Sequence, residues 1–335
     1  MGSSGKLRVS VLVPTRNRVD LLRELIESIW KQTLDPSEYE LIVIDNCSTD
    51  GTRALLEDMA GRAPCRMRFV VMTENRGPVH TRNLAAKMAE SEILAFTDSD
   101  CAVHPSWIEN GLAAFGESPA VALVSGPVVD KPGQAVRFFT LRNGAGATEN
   151  FTYPTCNVFY RKSVFLALGG FDESVWLLDI ANSPIECADT DLAWKVKEHG
   201  HRNVFRPDVI VYHEVALVKP MVWLLYHTRL LVIPELVRRH PQLRKELLLG
   251  KLFFSWENVL FYLFILGLAA AAADGVWWLA LSVPYLAWAV SLRGRGPVLM
   301  RIPRAAARIP FFITRQFVVC GSLLYGSLRS RTLVL

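Results

Sequence analysis

The first part of the chain alternates two hydrophobic patterns. Short apolar runs predict strands, and apolar residues repeated at helical spacing predict helices between them. The predicted strands are Leu7–Val13, Tyr39–Ile44, Met67–Met72 and Ile93–Phe96, and the predicted helices are Asp20–Gln32, Thr49–Ala60 and Val79–Glu90. Because strands buried on both faces and alternating with helices form parallel sheets, we predict a doubly wound, mostly parallel α/β fold. Ligands of such sheets bind beyond the carboxyl ends of the strands.

The same region ends in a less regular pattern. An apolar run at Val121–Gly126 is followed by a Gly-rich stretch, Asp130–Pro154, which is long enough to be a functional loop. Thr190–Glu198 then predicts a helix, with acidic residues at its start and lysines near its end. Val204–Tyr212 predicts one or two further short strands.

The last part of the chain is strongly apolar. Leu252–Ala273 and Val276–Leu292 are each long enough to cross a bilayer, and basic residues flank the pair on both sides, so we predict a transmembrane hairpin with cytosolic ends. A third apolar stretch, Ile309–Leu328, is interrupted by Arg315. Because arginine is costly at the bilayer centre, a re-entrant or in-plane helix is favoured over a third span.

These patterns predict a catalytic domain over residues 1–215, amphipathic linker helices over 216–251, and the membrane hairpin with its re-entrant or interfacial helix over 252–335. The N-terminus lacks the pattern of a signal sequence, so the catalytic domain is expected in the cytosol. The net charge is +5, and the excess arginine lies beside apolar runs, which favours membrane lipid over nucleic acid as a partner.

Two carboxylates, Asp98 and Asp100, follow the strand Ile93–Phe96. Residues i and i+2 of a strand are about 6.7 Å apart, whereas two oxygens on one Mg²⁺ are at most about 4.2 Å apart. The two carboxylates therefore share a metal only if the chain turns between them; otherwise one binds the metal and the other a sugar hydroxyl. Ser99 between them is small and leaves room for a ligand. An ordinary Asp-Ser-Asp turn is the structural alternative.

Other strand ends carry polar residues too. Asp45 ends the second strand, where it can accept hydrogen bonds from a nucleobase or ribose. Asp50 looks like a helix cap. Arg76 and Arg82 lie beside a predicted helix start, an arrangement that suits a diphosphate. No GxGxxG follows the first strand and no GxxxxGK[ST] occurs, which argues against a dinucleotide enzyme and a P-loop ATPase.

Five segments, "VSVLVPTRNR", "VIDNCSTDGT", "NRGPVHTRNLA", "FTDSD" and "CADTDLAWKV", occur in the order and spacing of the family 2 glycosyltransferases, and the chain resembles this family over about residues 7–215. The resemblance implies the GT-A fold, a nucleotide-sugar donor, a divalent cation (Mg²⁺ or Mn²⁺) and inverting transfer by single displacement. By position it implies a nucleoside pocket lined by Pro14, Thr15, Arg18 and Asp45, with Arg82 near the base or diphosphate, Asp98 facing the ribose, and Asp100 and His213 on the metal.

The catalytic base is implied by the last of these segments. The family usually has Glu-Asp-x-Asp here, with the first aspartate as the base, and this chain reads Ala188-Asp189-Thr190-Asp191. Asp189 is therefore the predicted base. The departure at Ala188 leaves Asp191 and Glu186 as alternatives, and a helix cap or a first-turn acid as the structural reading.

The predicted function is inverting transfer of one sugar, a hexose by family analogy, to a hydroxyl of a lipid-linked or hydrophobic acceptor at the cytosolic face of a membrane. A polyprenyl-phosphate sugar synthase is one alternative, and its phosphate acceptor needs no base. A catalytically degenerate, membrane-bound nucleotide-sugar-binding protein is the other.

Overall fold

The computed structural model describes residues 6–142, 146, 148–174, 176–178, 184–291 and 308–335. Tertiary contacts divide the chain into two compact units. One comprises residues up to 176 together with 186–218, and the other comprises residues 177–185 together with those from 219 onward.

Of the described elements, the first unit contains six α-helices and the β-strands. The helices are α1 Val19–Ile29, α2 Thr52–Arg62, α3 Gly77–Met88, α4 Trp107–Glu117, α5 Lys162–Ala167 and α6 Ala188–Glu198. The strands are β1 Val9–Thr15, β2 Tyr39–Asp45, β3 Arg66–Val71, β4 Ile93–Phe96, β5 Cys101–Val103, β6 Val121–Ser125, β7 Val128–Asp130, β8 Thr140–Leu141, β9 Val158–Arg161, β10 Trp176–Leu178, β11 Pro184–Glu186, β12 Arg202–Phe205, β13 Val211–His213 and β14 Ala216–Leu217, of which β10 and β11 reach into the second unit.

The main sheet has seven strands in the order β12-β6-β9-β4-β1-β2-β3. Pairing is parallel between β1 and β2, β2 and β3, β1 and β4, and β6 and β12. Every residue of β1 and β2 is buried, as expected for central strands covered by helices on both faces. The predicted mostly parallel α/β fold is confirmed.

One strand of this sheet, β9, runs the other way. It pairs antiparallel with β4 and with β6, so that Phe96 lies opposite Val158. The sequence analysis did not predict this strand, because its four residues follow a weakly patterned stretch and lack the alternation with helices that identifies the parallel strands.

A smaller sheet lies beyond the main one. Its order is β5-β13-β7, with β13 antiparallel to β5 and parallel to β7. The register places Cys101 directly opposite His213. This sheet therefore brings the chain that follows Asp100 beside the end of β13.

The helices begin one to three residues away from their predicted starts, and α2 and α3 show the physical reason. Helix α2 begins at Thr52, because Asp50 accepts a hydrogen bond from the Thr52 N–H at 3.0 Å while its other oxygen accepts one from Val19 N–H at 3.2 Å. Helix α3 begins at Gly77, whose φ is +80°. Arg82 therefore lies in the second turn of α3, and the prediction that it sits beside a helix start is wrong.

The second unit is helical. It contains α7 Pro220–Tyr226, α8 Ile233–Arg239, α9 Leu243–Leu247, α10 Trp256–Asp274, α11 Val283–Ser291 and α12 Ile309–Ser330, with 3₁₀ helices at His227–Val232 and Val276–Ser282. Among the described residues, α10 and α12 are long and apolar enough to cross a membrane, a property that buried helices of soluble proteins share, and Val276–Ala289 is a shorter apolar helix.

Helix α12 packs chiefly against the 3₁₀ helix His227–Val232 and α8. The approach is close, since a Cβ added at Gly326 would lie 2.2 Å from the Leu231 carbonyl oxygen. Against α10, the Arg315 guanidinium forms an ion pair with Glu257. Arginine within this apolar helix is thus paired with a carboxylate.

Candidate active site

The loops that follow β1 and β2 are joined by hydrogen bonds. The Ser48 hydroxyl accepts from the Asn17 N–H at 2.8 Å and donates to Asp45, and the Asn17 side chain accepts from the Thr49 N–H at 2.7 Å. Thr15 and Asp45 are register partners at the ends of the two strands. The two loops therefore hold these strand ends as one rigid edge.

Three residues at this edge were predicted to line a nucleoside pocket. Pro14 and Thr15 are buried at the end of β1, and the Thr15 hydroxyl has no hydrogen-bond partner among the described residues. Asp45 is fully buried, and its Oδ1 accepts from the Ser48 N–H and hydroxyl. Its Oδ2 is buried and has no hydrogen-bond partner in the described part of the chain. This oxygen can accept a hydrogen bond from an N–H or O–H of a ligand.

Asp98 and Asp100 follow β4 on a turn, which the Cys101 N–H closes by donating to the Asp98 carbonyl at 3.0 Å. Ser99, at the apex, is 3% exposed. The Arg82 guanidinium donates to the Asp98 carboxylate at 2.6 Å. The charge of Asp98 is therefore compensated by Arg82.

Asp100 has different neighbours. One carboxylate oxygen forms an ion pair with Arg18, which was predicted to line the nucleoside pocket, and the other lies 3.5 Å from His213 Nε2. His213 Nδ1 is 2.8 Å from the Glu214 carbonyl oxygen, so Nδ1 carries the proton that it donates there. Nε2 therefore faces a carboxylate oxygen at a separation that either a cation between the two atoms or a proton on Nε2 satisfies.

These residues fit a divalent cation. Asp100, Cys101 and His213 offer one ligand atom each, all within 4.8 Å of one another, and among the described residues they are the group that can hold a metal. The hydrogen bond from Nδ1 to a carbonyl is the usual support of a metal-bound histidine. The structure brings together the predicted metal ligands Asp100 and His213, but it holds Asp98 on Arg82 instead of in this group.

Asp189 and Asp191 lie in the first turn of α6. Burial raises the pKa of Asp189 to about 6; the charge of Asp98 adds to this effect, while the Thr190 N–H and Arg82 oppose it. Both members of the Asp98–Arg82 pair thus influence the pKa of the Asp189 carboxylate. Asp191 is 1% exposed and forms an ion pair with Lys195 at 2.7 Å. Glu186, the third candidate, ends β11, and its side chain lies outside the described residues.

Arg76 does not join this cluster. It precedes α3, and its side chain is half exposed, with the guanidinium 3.8 Å from the Glu74 carboxylate. Its backbone N–H donates to the Asn46 side-chain oxygen at 2.9 Å. The predicted diphosphate contact of Arg76 stays a prediction.

The sequence analysis missed several residues around His213. Lys131, whose side chain is 10% exposed, forms ion pairs with Glu24 at 2.8 Å and Glu214 at 3.1 Å. Gln134 donates to Glu214 at 2.5 Å and accepts from the Val215 N–H at 2.8 Å. These contacts fix the chain directly after the histidine. The one sequence feature that could have indicated a role for Lys131 and Gln134 was their position at the start of the Gly-rich loop.

The chain is similar to known glycosyltransferases. The family model described as "Glycosyl transferase family 2" matches residues 10–169. The glycosyltransferase AglE of Haloferax volcanii is 28% identical over 221 residues, which cover 61% of this chain and 66% of AglE. Poly(ribitol-phosphate) beta-N-acetylglucosaminyltransferase TarS of Staphylococcus aureus is 33% identical over 111 residues, which cover 33% of this chain and 19% of TarS.

Solved structures show the same fold. The mannosyltransferase PcManGT from Pyrobaculum calidifontis, in complex with GDP-Man and Mn²⁺, superposes with a TM-score of 0.58 at 21% identity, covering 97% of this chain and 87% of that one. TarS 1-349 of S. aureus in complex with UDP superposes with a TM-score of 0.52 at 20% identity, covering 97% and 92%.

The matched segments span less than two thirds of the two curated relatives, 66% of AglE and 19% of TarS. The residues that the family model matches include the two strand-end loops and the Asp98–Asp100 turn, whereas Asp189 and His213 lie outside them. This chain contains a domain of glycosyl transferase family 2, built on a GT-A-like fold.

Proposed function

We propose that the chain is an inverting glycosyltransferase that moves one sugar from a nucleotide-diphosphate sugar to a hydroxyl of a lipid-linked or hydrophobic acceptor. The observation that carries the proposal is a group of three carboxylates with different surroundings at one edge of the sheet. Asp100 lies beside His213, Asp98 is paired with Arg82, and Asp189 is partly buried near that pair, whose charges act on its pKa in opposite directions. Metal binding, donor binding and proton transfer each need one such carboxylate.

The donor would bind along the ends of β1, β2 and β4. Asp45 Oδ2 and the Thr15 hydroxyl are buried polar groups with no partner among the described residues, and they suit a nucleobase N–H or a ribose hydroxyl. Arg18 and Arg82 provide positive charge for the diphosphate. GDP-Man in PcManGT and UDP in TarS support a nucleotide as the ligand class.

Asp100 and His213 would hold the divalent cation, as the hydrogen bond from His213 Nδ1 supports. A bound cation supplies stabilisation of the negative charge on the departing diphosphate. Arg18 and Arg82, which are held beside Asp100 and Asp98, would act on the same charge from the protein side.

Asp189 would be the general base. Its carboxylate takes the proton from the acceptor hydroxyl, the oxygen forms a bond to the anomeric carbon, and the bond from that carbon to the diphosphate oxygen breaks with its electron pair leaving on the nucleoside diphosphate. A pKa of about 6 leaves most of the carboxylate deprotonated at neutral pH while keeping it basic enough for this step. Asp191 is held by Lys195, and we assign it the role of fixing the first turn of α6.

The second unit supports a hydrophobic acceptor and a membrane location. Large apolar side chains are exposed on and around α10 and α11, among them Trp256 at 68%, Val276 at 75% and Val283 at 58%. Exposed apolar surface of this kind marks contact with lipid or another partner. We propose that α10 and the apolar segment after it form the membrane hairpin, with the catalytic domain on the cytosolic side.

Helix α12 is better explained as an in-plane helix than as a third span. It packs along His227–Val232 and α8, and that amphipathic segment carries Arg238 and Arg239. Phe317, Leu324 and Leu328 are exposed at spacings that place them on one face of α12. Such a face suits contact with the acyl boundary of a bilayer.

A transfer assay tests the proposal. The full chain in detergent or lipid would be given a panel of nucleotide sugars with Mg²⁺ or Mn²⁺ and a panel of hydrophobic hydroxyl acceptors. We expect transfer that is lost in Asp100→Ala and Asp189→Asn and kept in Asp58→Asn, a conservative change on the exposed face of α2. Nucleotide-sugar binding without transfer or hydrolysis would favour the degenerate binding protein. Full activity of Asp189→Asn on polyprenyl phosphate would favour the synthase.

A further inference from the structure

The group formed by Asp100, Cys101 and His213 contains a sulfur atom that the proposed function does not use. Cys101 begins β5 and pairs directly with His213, the last residue of β13. Residues directly opposite each other on antiparallel strands project their side chains from the same face of the sheet. Cys101 therefore shares a face with the histidine, and it is also the chain neighbour of Asp100.

The three ligand atoms are already close to the spacing of a metal site. Asp100 Oδ1 lies 3.5 Å from His213 Nε2 and 3.9 Å from Cys101 Sγ. A tetrahedral ion with bonds of about 2.0 Å to oxygen and nitrogen and about 2.3 Å to sulfur would place such atoms about 3.3 to 3.6 Å apart. Two of the three separations therefore lie within a few tenths of an ångström of these values, and the third, between Cys101 Sγ and His213 Nε2, is at most 4.8 Å.

The identity of the third atom decides which ions bind. Mg²⁺ is a hard cation that takes oxygen ligands, whereas a thiolate selects softer ions such as Zn²⁺, Co²⁺ and Cd²⁺. Three protein ligands also leave a position open, as in catalytic sites of this kind. That position is where an oxygen of a donor diphosphate would coordinate.

We infer that Cys101 is the third protein ligand of this metal site, so that the site has one oxygen, one nitrogen and one sulfur donor and takes a thiophilic divalent cation. On binding, the sulfur–metal bond replaces the S–H bond, and the proton goes to solvent. The inference rests on the proposed function in one respect, the assignment of Asp100 and His213 as metal ligands. It does not require that the chain transfer a sugar.

Titration of the purified full chain with Co²⁺ tests this inference, because a cobalt–thiolate bond gives a sulfur-to-metal charge-transfer band in the near ultraviolet. We expect the band in the wild type and in Cys65→Ser, a buried cysteine beside Tyr39. We expect it to be absent from Cys101→Ser and Cys101→Ala. Co²⁺ affinity should fall by about tenfold or more in both variants, while Mg²⁺ affinity, measured by calorimetry, should stay close to that of the wild type.

Three results would overturn the inference. The band could persist in both Cys101 variants, or it could be absent from Cys156→Ser while Cys101→Ser keeps it, since Cys156 contacts Cys101. Co²⁺ and Mg²⁺ affinities could also fall by the same factor, as they would if the substitution only disturbed the fold. Each of these leaves the proposed function standing if the wild type transfers sugar. If the band requires Cys101 but the chain transfers no sugar to any acceptor, the proposed function is wrong and the inferred metal site stands.

Discussion

Strand β2 carries a buried carboxylate near each end, and the two differ in their hydrogen-bond partners. Glu40, near the amino end, has every oxygen occupied: Oε1 accepts from the Ser10 hydroxyl at 2.6 Å and the Glu90 N–H at 2.7 Å, and Oε2 accepts from Arg68 at 2.5 Å. Asp45, at the carboxyl end, is equally buried, yet its Oδ2 has no partner among the described residues.

The difference separates a structural carboxylate from one that suits ligand binding. An unpartnered buried polar atom costs stability, so a fold keeps one only where something else offsets the cost. Glu40 joins three segments of chain and leaves no acceptor for a ligand. Asp45 uses one oxygen to fix its own loop through Ser48 and presents the other beyond the strand end.

The largest effect is expected at the base. Asp189→Asn should lower kcat/KM by about 10²- to 10⁴-fold, because an amide cannot accept the acceptor's proton. Circular dichroism and the melting temperature should stay near those of the wild type, since the amide oxygen can still accept from the Thr190 N–H. Asp191→Asn is the matched variant, and a greater loss of activity there than at Asp189 would contradict the assignment.

At the opposite edge of the sheet, Glu40→Gln should destabilise the fold by about 2 kcal/mol, because a neutral amide weakens the charged hydrogen bond to Arg68. Nucleotide affinity should be unchanged. Chemical unfolding with a fluorescence readout, alongside calorimetric titration with nucleotide, measures both quantities. A loss of nucleotide affinity in this variant would remove the distinction between the two ends of the strand.

The pH dependence of activity should report the carboxylate of Asp189. The group is active when deprotonated, and its pKa is raised to about 6 in the folded protein, so kcat/KM should be near its plateau above pH 7 and fall about tenfold per pH unit well below pH 6. Initial rates from pH 5 to 8 at fixed ionic strength measure the profile. The residual activity of Asp189→Asn should lack this acidic limb, and a limb that persists would belong to another group.

Much of this edge follows from the sequence alone. The apolar runs predicted β1, β2 and β4 closely enough to put Asp45, Asp98 and Asp100 beyond their ends, because strand–helix alternation is a local signal. The orientation of β9 and the pairing of Cys101 with His213 were not predicted. Both depend on contacts between segments far apart in the chain, about which local periodicity carries no information.

The sequence also did not predict which residues lie next to each charged side chain. Arg76 and Arg82 looked equivalent as basic residues near one helix, but the turn at Gly77 places Arg82 on the inner side of α3, where it meets Asp98, and leaves Arg76 half exposed. Lys131 belongs to the Gly-rich loop in sequence and to the histidine strand in space. Sequence patterns therefore pointed to this edge of the sheet, and the tertiary contacts distinguished the neighbours of its charged residues.

The smallest effect expected from the comparison is at Asp45. Asp45→Asn keeps an oxygen that can accept from Ser48 but replaces the open acceptor with an amide donor, so nucleotide affinity should fall by about tenfold, the loss of roughly one hydrogen bond to a charged group. Stability should stay constant or rise, because the buried side chain no longer carries a charge. Thermal shift with and without nucleotide separates the two effects. If Asp45→Asn lowered the melting temperature as much as Glu40→Gln, both ends of β2 would be structural and the nucleoside contact would have to lie elsewhere.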